Sequence, residues 1–157
     1  MDLGLDDKTA LVTGGAGRIG TVDCEILAEE GAEVVVLDVD LDGAENVAEG
    51  IRDDGGDAFA VECDLTDRDD VREIVEEVRN DTGGVDVLVN NAGVVDAVGR
   101  VEGYDDDLWD RDMAVNLTGT YNITKEIFPA MCDRGWGRVL TMSSMAGWEG
   151  GFGQVSY

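Results

Sequence analysis

The chain of 157 residues contains no histidine. That removes His-based catalytic triads and His-ligated zinc, and leaves acid–base chemistry to Tyr, Lys, Asp, Glu, Ser or Cys. Cysteine is scarce. Cys24, Cys63 and Cys132 are widely spaced and form no CxxC pair. They read as buried small hydrophobes in a reducing compartment. No apolar run reaches the length needed to span a bilayer. The opening segment, MDLGLDDKTA, is acidic and has no apolar stretch of the kind a secretory signal needs. A soluble cytoplasmic protein is therefore expected. Positive charge is also in short supply. Lys and Arg number 11 against 36 Asp and Glu, a formal net charge of −25, and only Lys8 and Lys125 are lysines. Such a surface repels nucleic acid and anionic membrane. The carboxylates are spread along the whole length, so the chain reads as a folded protein with a carboxylate-coated surface, as in halophiles. High salt would screen its self-repulsion.

What is present points to a single globular domain over residues 1–157. Hydrophobic residues make up 43%, enough to fill a core. Apolar runs at 9–13, 33–37, 58–63, 85–89 and 138–142 read as strands. Helical spacing occupies 18–30, 41–54, the stretch that Asp67 caps, and a long region from 105 to 133. Buried strands separated by amphipathic helices predict an α/β fold: a doubly wound parallel sheet, Rossmann-like, in three α/β/α layers. The glycine-rich stretch 147–153 reads as a flexible loop. Trp109, Trp136 and Trp148 read as packing residues, with Trp148 and Phe152 also candidates for touching a substrate.

TGGAGRIG, residues 13–20, joins the first strand to the first helix. A loop there aims backbone N–H groups at an anion, and the helix start adds partial positive charge. Gly14 permits the tight turn, Gly17 lets phosphate approach, and Gly20 allows close helix–strand packing. Arg18 and Ile19 open the helix and complete this candidate cofactor-binding set. Asp38 ends the second strand, 18 residues after Gly20. A carboxylate in that place accepts hydrogen bonds from the ribose of NAD and repels the 2′-phosphate of NADP. Arg18 could instead bind a 2′-phosphate, so NADP stays open beside the favoured NAD.

These residues resemble the short-chain dehydrogenase/reductase family. CDLTD (63–67) is similar to the family segment whose Asp, here Asp64, meets the adenine, with Leu65 after it. NNAG (90–93) is specific to the family and would line the cofactor cleft through Asn91, Ala92 and Gly93. VNLTGTYN (115–122) matches the helix bearing the family's active-site Asn, here Asn116. GRVLTMSSMAG (137–147) matches the strand leading to the catalytic serine, here Ser144, beside Ser143. Tyr157 stands 13 residues after Ser144, the family's serine–tyrosine spacing. TGxxGxxG, with arginine at position 18, is the glycine spacing of the extended branch of epimerases and dehydratases. NNAG and the Ser144–Tyr157 interval place the chain in the compact branch, similar to 3-oxoacyl-acyl-carrier-protein reductases.

The resemblance implies reversible hydride transfer between nicotinamide and a carbonyl or secondary alcohol of a small molecule, in a homo-oligomeric enzyme. Ser144 would polarise the substrate oxygen and Tyr157 would supply the proton. A phenol titrates near pKa ~10 and needs nearby positive charge to work closer to neutrality. In the family a lysine four positions beyond the tyrosine helps supply it, and Asn116 would hold a water in the relay to that lysine. The chain ends at Tyr157, so the domain is expected to be C-terminally incomplete after about the fifth strand. Two other readings are a truncated dinucleotide-binding module without turnover and an extended-branch, epimerase-like protein.

Overall fold

A computed structural model describes residues 3–157. Five strands form one parallel sheet: β1 (Thr9–Thr13), β2 (Glu33–Asp38), β3 (Asp57–Glu62), β4 (Val87–Asn90) and β5 (Arg138–Thr141). Their order is β3-β2-β1-β4-β5. The chain winds outward from β1 to β3, then returns to place β4 on the other side of β1. A crevice opens at such a reversal, at the carboxyl ends of the strands. The register pairs Thr13 with Asn90, so the loops that follow β1 and β4 lie side by side at that point.

Alternation along the central strands sends side chains to two cores. Val35 and Leu37 of β2 join Leu11, Val71 and Ile123 on one face. Val34 and Val36 join Val12, Cys24 and Ala48 on the other. Helices α3 (Arg68–Thr82) and α5 (Thr120–Arg134) cover the first face; α1 (Arg18–Glu29) and α2 (Leu41–Asp53) cover the second. Each fully buried Val or Leu stabilises the fold by roughly 1.5–3 kcal/mol. The abundant aspartates also set helix starts. Asp40 caps α2 through Gly43 N–H, and Asp67 caps α3 through Asp69 and Asp70 N–H. Asp105 caps α4 (Asp106–Met113) through Asp107 and Leu108 N–H. Among the described residues no helix is long and apolar enough to cross a membrane.

The structure departs from the sequence reading in four places. The region 105–133 is not one continuous helix. It divides into α4, a π-helical turn Ala114–Gly119, and α5. A π turn accommodates an extra residue, and this one brings Gly119 against Leu65, where a Cβ would lie 2.9 Å from the leucine Cβ. The glycine-rich stretch begins inside a short helix, α6 (Met145–Glu149), started by a Ser144 cap. Cys132 is exposed, whereas Cys24 and Cys63 are buried. Helix α5 buries Ile123, Ile127 and Met131, and one further residue is a turn of about 100° away from that face. Trp148 is 88% exposed, whereas Trp136 lies half-buried with the Lys8 and Arg138 cations over its ring.

Candidate functional site

The carboxyl ends of the strands frame a cleft of about 910 Å³. The loop after β1 forms one wall through Gly14, Gly17, Arg18 and Ile19. Gly14 has φ +64°, and a Cβ there would sit 2.8 Å from Ala92 Cα. Glycine satisfies both demands at once. Gly20 lies behind the loop, not on the cleft wall: a Cβ there would overlap the Gly14 carbonyl oxygen and crowd Asn91 Nδ2 at 2.8 Å. Its contribution is the close packing of α1 on β1.

The segment after β4 is bound onto this loop. Asn91 Nδ2 donates to Thr13 O at 3.1 Å and Gly14 O at 3.0 Å. The N–H groups of Asn91 and Ala92 both donate to Thr13 Oγ1 at 3.1 Å. The Thr13 hydroxyl is thus the junction of the two loops, a role the sequence reading did not assign. Asn91, Ala92 and Gly93 then line the cleft floor. Asn90 sits beneath them, donating through Nδ2 to Thr124 Oγ1 at 3.0 Å.

The start of α1 is electrostatically unlike those of α2, α3 and α4. Those three carry aspartate caps and acidic first turns. Helix α1 begins at Gly17 with no side-chain cap and no acidic residue in its first turn. Its leading N–H groups have no intrahelical acceptor and add partial positive charge there. Among the described residues no carboxylate pairs with Arg18.

Asp38 stands opposite, at the end of β2. Its Oδ2 accepts Ala16 N–H at 3.0 Å and its Oδ1 accepts Asp40 N–H at 3.1 Å. Both oxygens are fixed and keep further lone pairs for hydroxyl donors. Asp40 is occupied in capping α2, which separates the two aspartates by role. Asp64 and Leu65 close the far end. Asp64 Oδ1 accepts Thr66 N–H at 2.9 Å and Thr66 Oγ1 at 2.7 Å. Leu65 is buried, and its carbonyl accepts Asn122 Nδ2 at 2.9 Å.

Asn116, Ser144 and Tyr157 line the same cleft. Asn116 holds Val94 in a paired contact: Oδ1 accepts Val94 N–H at 2.8 Å and Nδ2 donates to Val94 O at 2.8 Å. One lone pair and one N–H of the amide stay available. Ser144 Oγ accepts Ala146 N–H at 3.2 Å, which leaves its O–H proton free to donate into the cleft. Trp148 and Phe152 are not among the residues that line the cleft. Arg111, which the sequence reading passed over, does line the cleft and pairs with Asp96 at 3.0 Å.

Two groups at or near the cleft have displaced pKa values. Burial, reinforced by Asp70 and Asp64, pushes the Cys63 thiol up to about 12, so it is no nucleophile. Asp112 is fully buried, which by itself raises a carboxyl pKa. Hydrogen bonds from Ser156 and from the Asp96 and Ala97 amides, with the Arg111 charge nearby, outweigh burial and hold it below the usual carboxylate value.

Comparison with known proteins gives one consistent answer. A family model described as short chain dehydrogenase matches residues 8–157. Acetoacetyl-CoA reductase of Cupriavidus necator is 39% identical over 98% of this chain and 62% of its own length. The 3-oxoacyl-[acyl-carrier-protein] reductase of Aquifex aeolicus is 36% identical over 100% of this chain and 63% of its own length. An NAD+-bound xylitol dehydrogenase structure superposes with a TM-score of 0.94 at 33% identity, covering 98% of this chain and 59% of that one. The chain therefore spans about three fifths of the length of these relatives. With the reversed sheet, the glycine loop and the shared cleft in place, the chain belongs to the short chain dehydrogenase family.

Proposed function

We propose that the cleft binds a nicotinamide dinucleotide, NAD in preference to NADP, and that the protein transfers hydride to or from a small molecule bearing a carbonyl or secondary alcohol. The observation that carries this reading is the sharing of one cleft by the uncapped start of α1, the anchored Asp38 carboxylate, and Ser144 and Tyr157. The residues fit the cofactor. The α1 N–H groups and Arg18 would hold the pyrophosphate, Asp38 the adenosine ribose, and Asp64 and Leu65 the adenine end. A bound nicotinamide supplies the hydride chemistry. Ser144 donates its free O–H proton to the substrate oxygen as negative charge develops there. Tyr157 gives up its phenolic proton to that oxygen, acting as general acid. Asn116 keeps the loop at Val94 in register and uses its remaining capacity for a relay water. Reductases of 3-oxoacyl thioesters among the relatives support that substrate class; the proposal places the protein in the cytoplasm as a homo-oligomer.

The test uses the protein expressed from its gene. Calorimetry should show NADH bound more tightly than NADPH. Asp38→Ala should weaken NADH by roughly 10- to 100-fold, the value of one hydrogen bond to a charged group at about 1.5–3 kcal/mol. Ketones and 3-oxoacyl thioesters should be reduced by wild type, and Tyr157→Phe should abolish turnover. Tighter NADPH binding in wild type would reverse the cofactor assignment in favour of Arg18. Binding without turnover across the panel would leave a dinucleotide-binding module.

A further inference from the structure

The sequence motifs do not account for a buried carboxylate one helical turn before Asn116. Asp112, on α4, is 0% exposed. Its Oδ1 accepts Asp96 N–H at 3.0 Å. Its Oδ2 accepts Ala97 N–H at 3.2 Å and the Ser156 hydroxyl at 2.5 Å. Ser156 immediately precedes Tyr157 in the chain. One carboxylate therefore ties together the loop after β4 and the segment that carries the tyrosine.

Tyr104 reinforces the tie. Its hydroxyl donates to Ala97 O at 2.6 Å and accepts Val155 N–H at 3.1 Å. Gly99 N–H donates to Gly153 O at 2.9 Å, and a Cβ at Gly153 would lie 2.9 Å from Gly99 N. The two backbones touch, and glycine permits it. Asn116 holds Val94, and Asp112 holds the next residues of the same loop, 96 and 97. A carboxylate buried this fully is tolerated only when its lone pairs are filled, so its three donors are fixed in direction.

We propose that Asp112, acting through Ser156, is a positioning residue that sets Tyr157 against Ser144 in the cleft. The proposal rests on the reading of Tyr157 as the proton donor. It requires the Ser156 hydroxyl in particular, not the size of the side chain. A misplacement of ~1 Å in a reacting group costs about 100-fold in rate, so a slack tie should be visible in turnover.

The experiment compares Ser156→Thr, which keeps the hydroxyl, with Ser156→Val, which matches threonine in shape and lacks it. Both are made in the protein expressed from its gene, beside Asp112→Asn and Tyr157→Phe. Ser156→Val and Asp112→Asn should lower kcat about 10-fold or more with little change in the Kd for NADH. Ser156→Thr should keep most of the wild-type kcat. Amide hydrogen exchange at Val155 should quicken in Ser156→Val and not in Ser156→Thr. Wild-type kcat and Val155 exchange in Ser156→Val, with Tyr157→Phe inactive, would overturn the positioning role and leave the proton-donor reading standing. Equal loss in the Thr and Val variants would also overturn it, since the hydroxyl would then be irrelevant. Wild-type turnover in Tyr157→Phe would overturn both readings together.

Discussion

Replacing Gly14 by alanine tests the loop geometry most directly. The added methyl would lie 2.8 Å from Ala92 Cα, 3.1 Å from Ala92 N and 3.2 Å from Asn91 Nδ2. Two of these atoms are backbone, and the Asn91 side chain is bound to Thr13 and Gly14, so none can swing aside cheaply. The left-handed conformation at φ +64° costs a non-glycine residue about 1–2 kcal/mol. Overlap with fixed neighbours adds about 1–3 kcal/mol. The expected loss is therefore about 2–5 kcal/mol. Gly50 is the matched control. It lies within α2, and a Cβ there meets nothing within 4 Å. Alanine at that position should stabilise the helix by about 1 kcal/mol. Urea unfolding followed by circular dichroism should move the two midpoints in opposite directions. If Gly14→Ala stays within about 0.5 kcal/mol of wild type, as an ordinary surface change would, the steric reasoning is wrong.

Three further expectations follow from charge and burial. The net charge of −25 should make the melting temperature rise between dilute buffer and molar KCl, and a flat or falling melt would refute the salt-requiring reading. Cys132 should react quickly with a thiol reagent, whereas Cys24 and Cys63, buried and with thiols pushed up to about 12, should react only on unfolding; three fast equivalents would contradict the fold. Asp112 has a depressed folded-state pKa, so its ionised form favours folding: the contribution is full above the ordinary value of 3.8 and is lost as pH falls through the lower folded value. Asp112→Asn should accordingly destabilise the protein at pH 7, with the deficit to wild type shrinking below about pH 4 in urea titrations.

Much of this architecture is legible in the residue order. TALVT and EVVVLD are continuous apolar runs because parallel strands are buried on both faces, and both stand where they were expected. Loop glycines announce themselves through their spacing, and Asp38 through its place at a strand end. The Ala114–Gly119 turn was hidden, since its extra residue is imposed by the approach of Gly119 to Leu65, 54 positions away. Cys132 was misread because scarcity and spacing suggest burial but do not say which face of α5 it occupies. Asp112 was invisible among so many carboxylates. Its importance comes from three donors located on two distant segments, and no local pattern encodes that meeting.

The bare start of α1 has a kinetic consequence. A ligand with two phosphates must approach a surface whose field is repulsive almost everywhere, and that field extends about 10 Å at 0.1 M salt and only about 3 Å at 1 M. At the start of α1, around Gly17 and Arg18, no acidic residue of the first turn adds to that repulsion. Encounter is therefore slowed by long-range repulsion, which salt removes, while escape is governed by short hydrogen bonds, which salt scarcely touches. The proposed dinucleotide should consequently associate faster as ionic strength rises and leave at much the same rate. An anion held by a basic groove does the opposite. On the proposed reading, concentrated salt is the agent that lets the dinucleotide reach the start of α1.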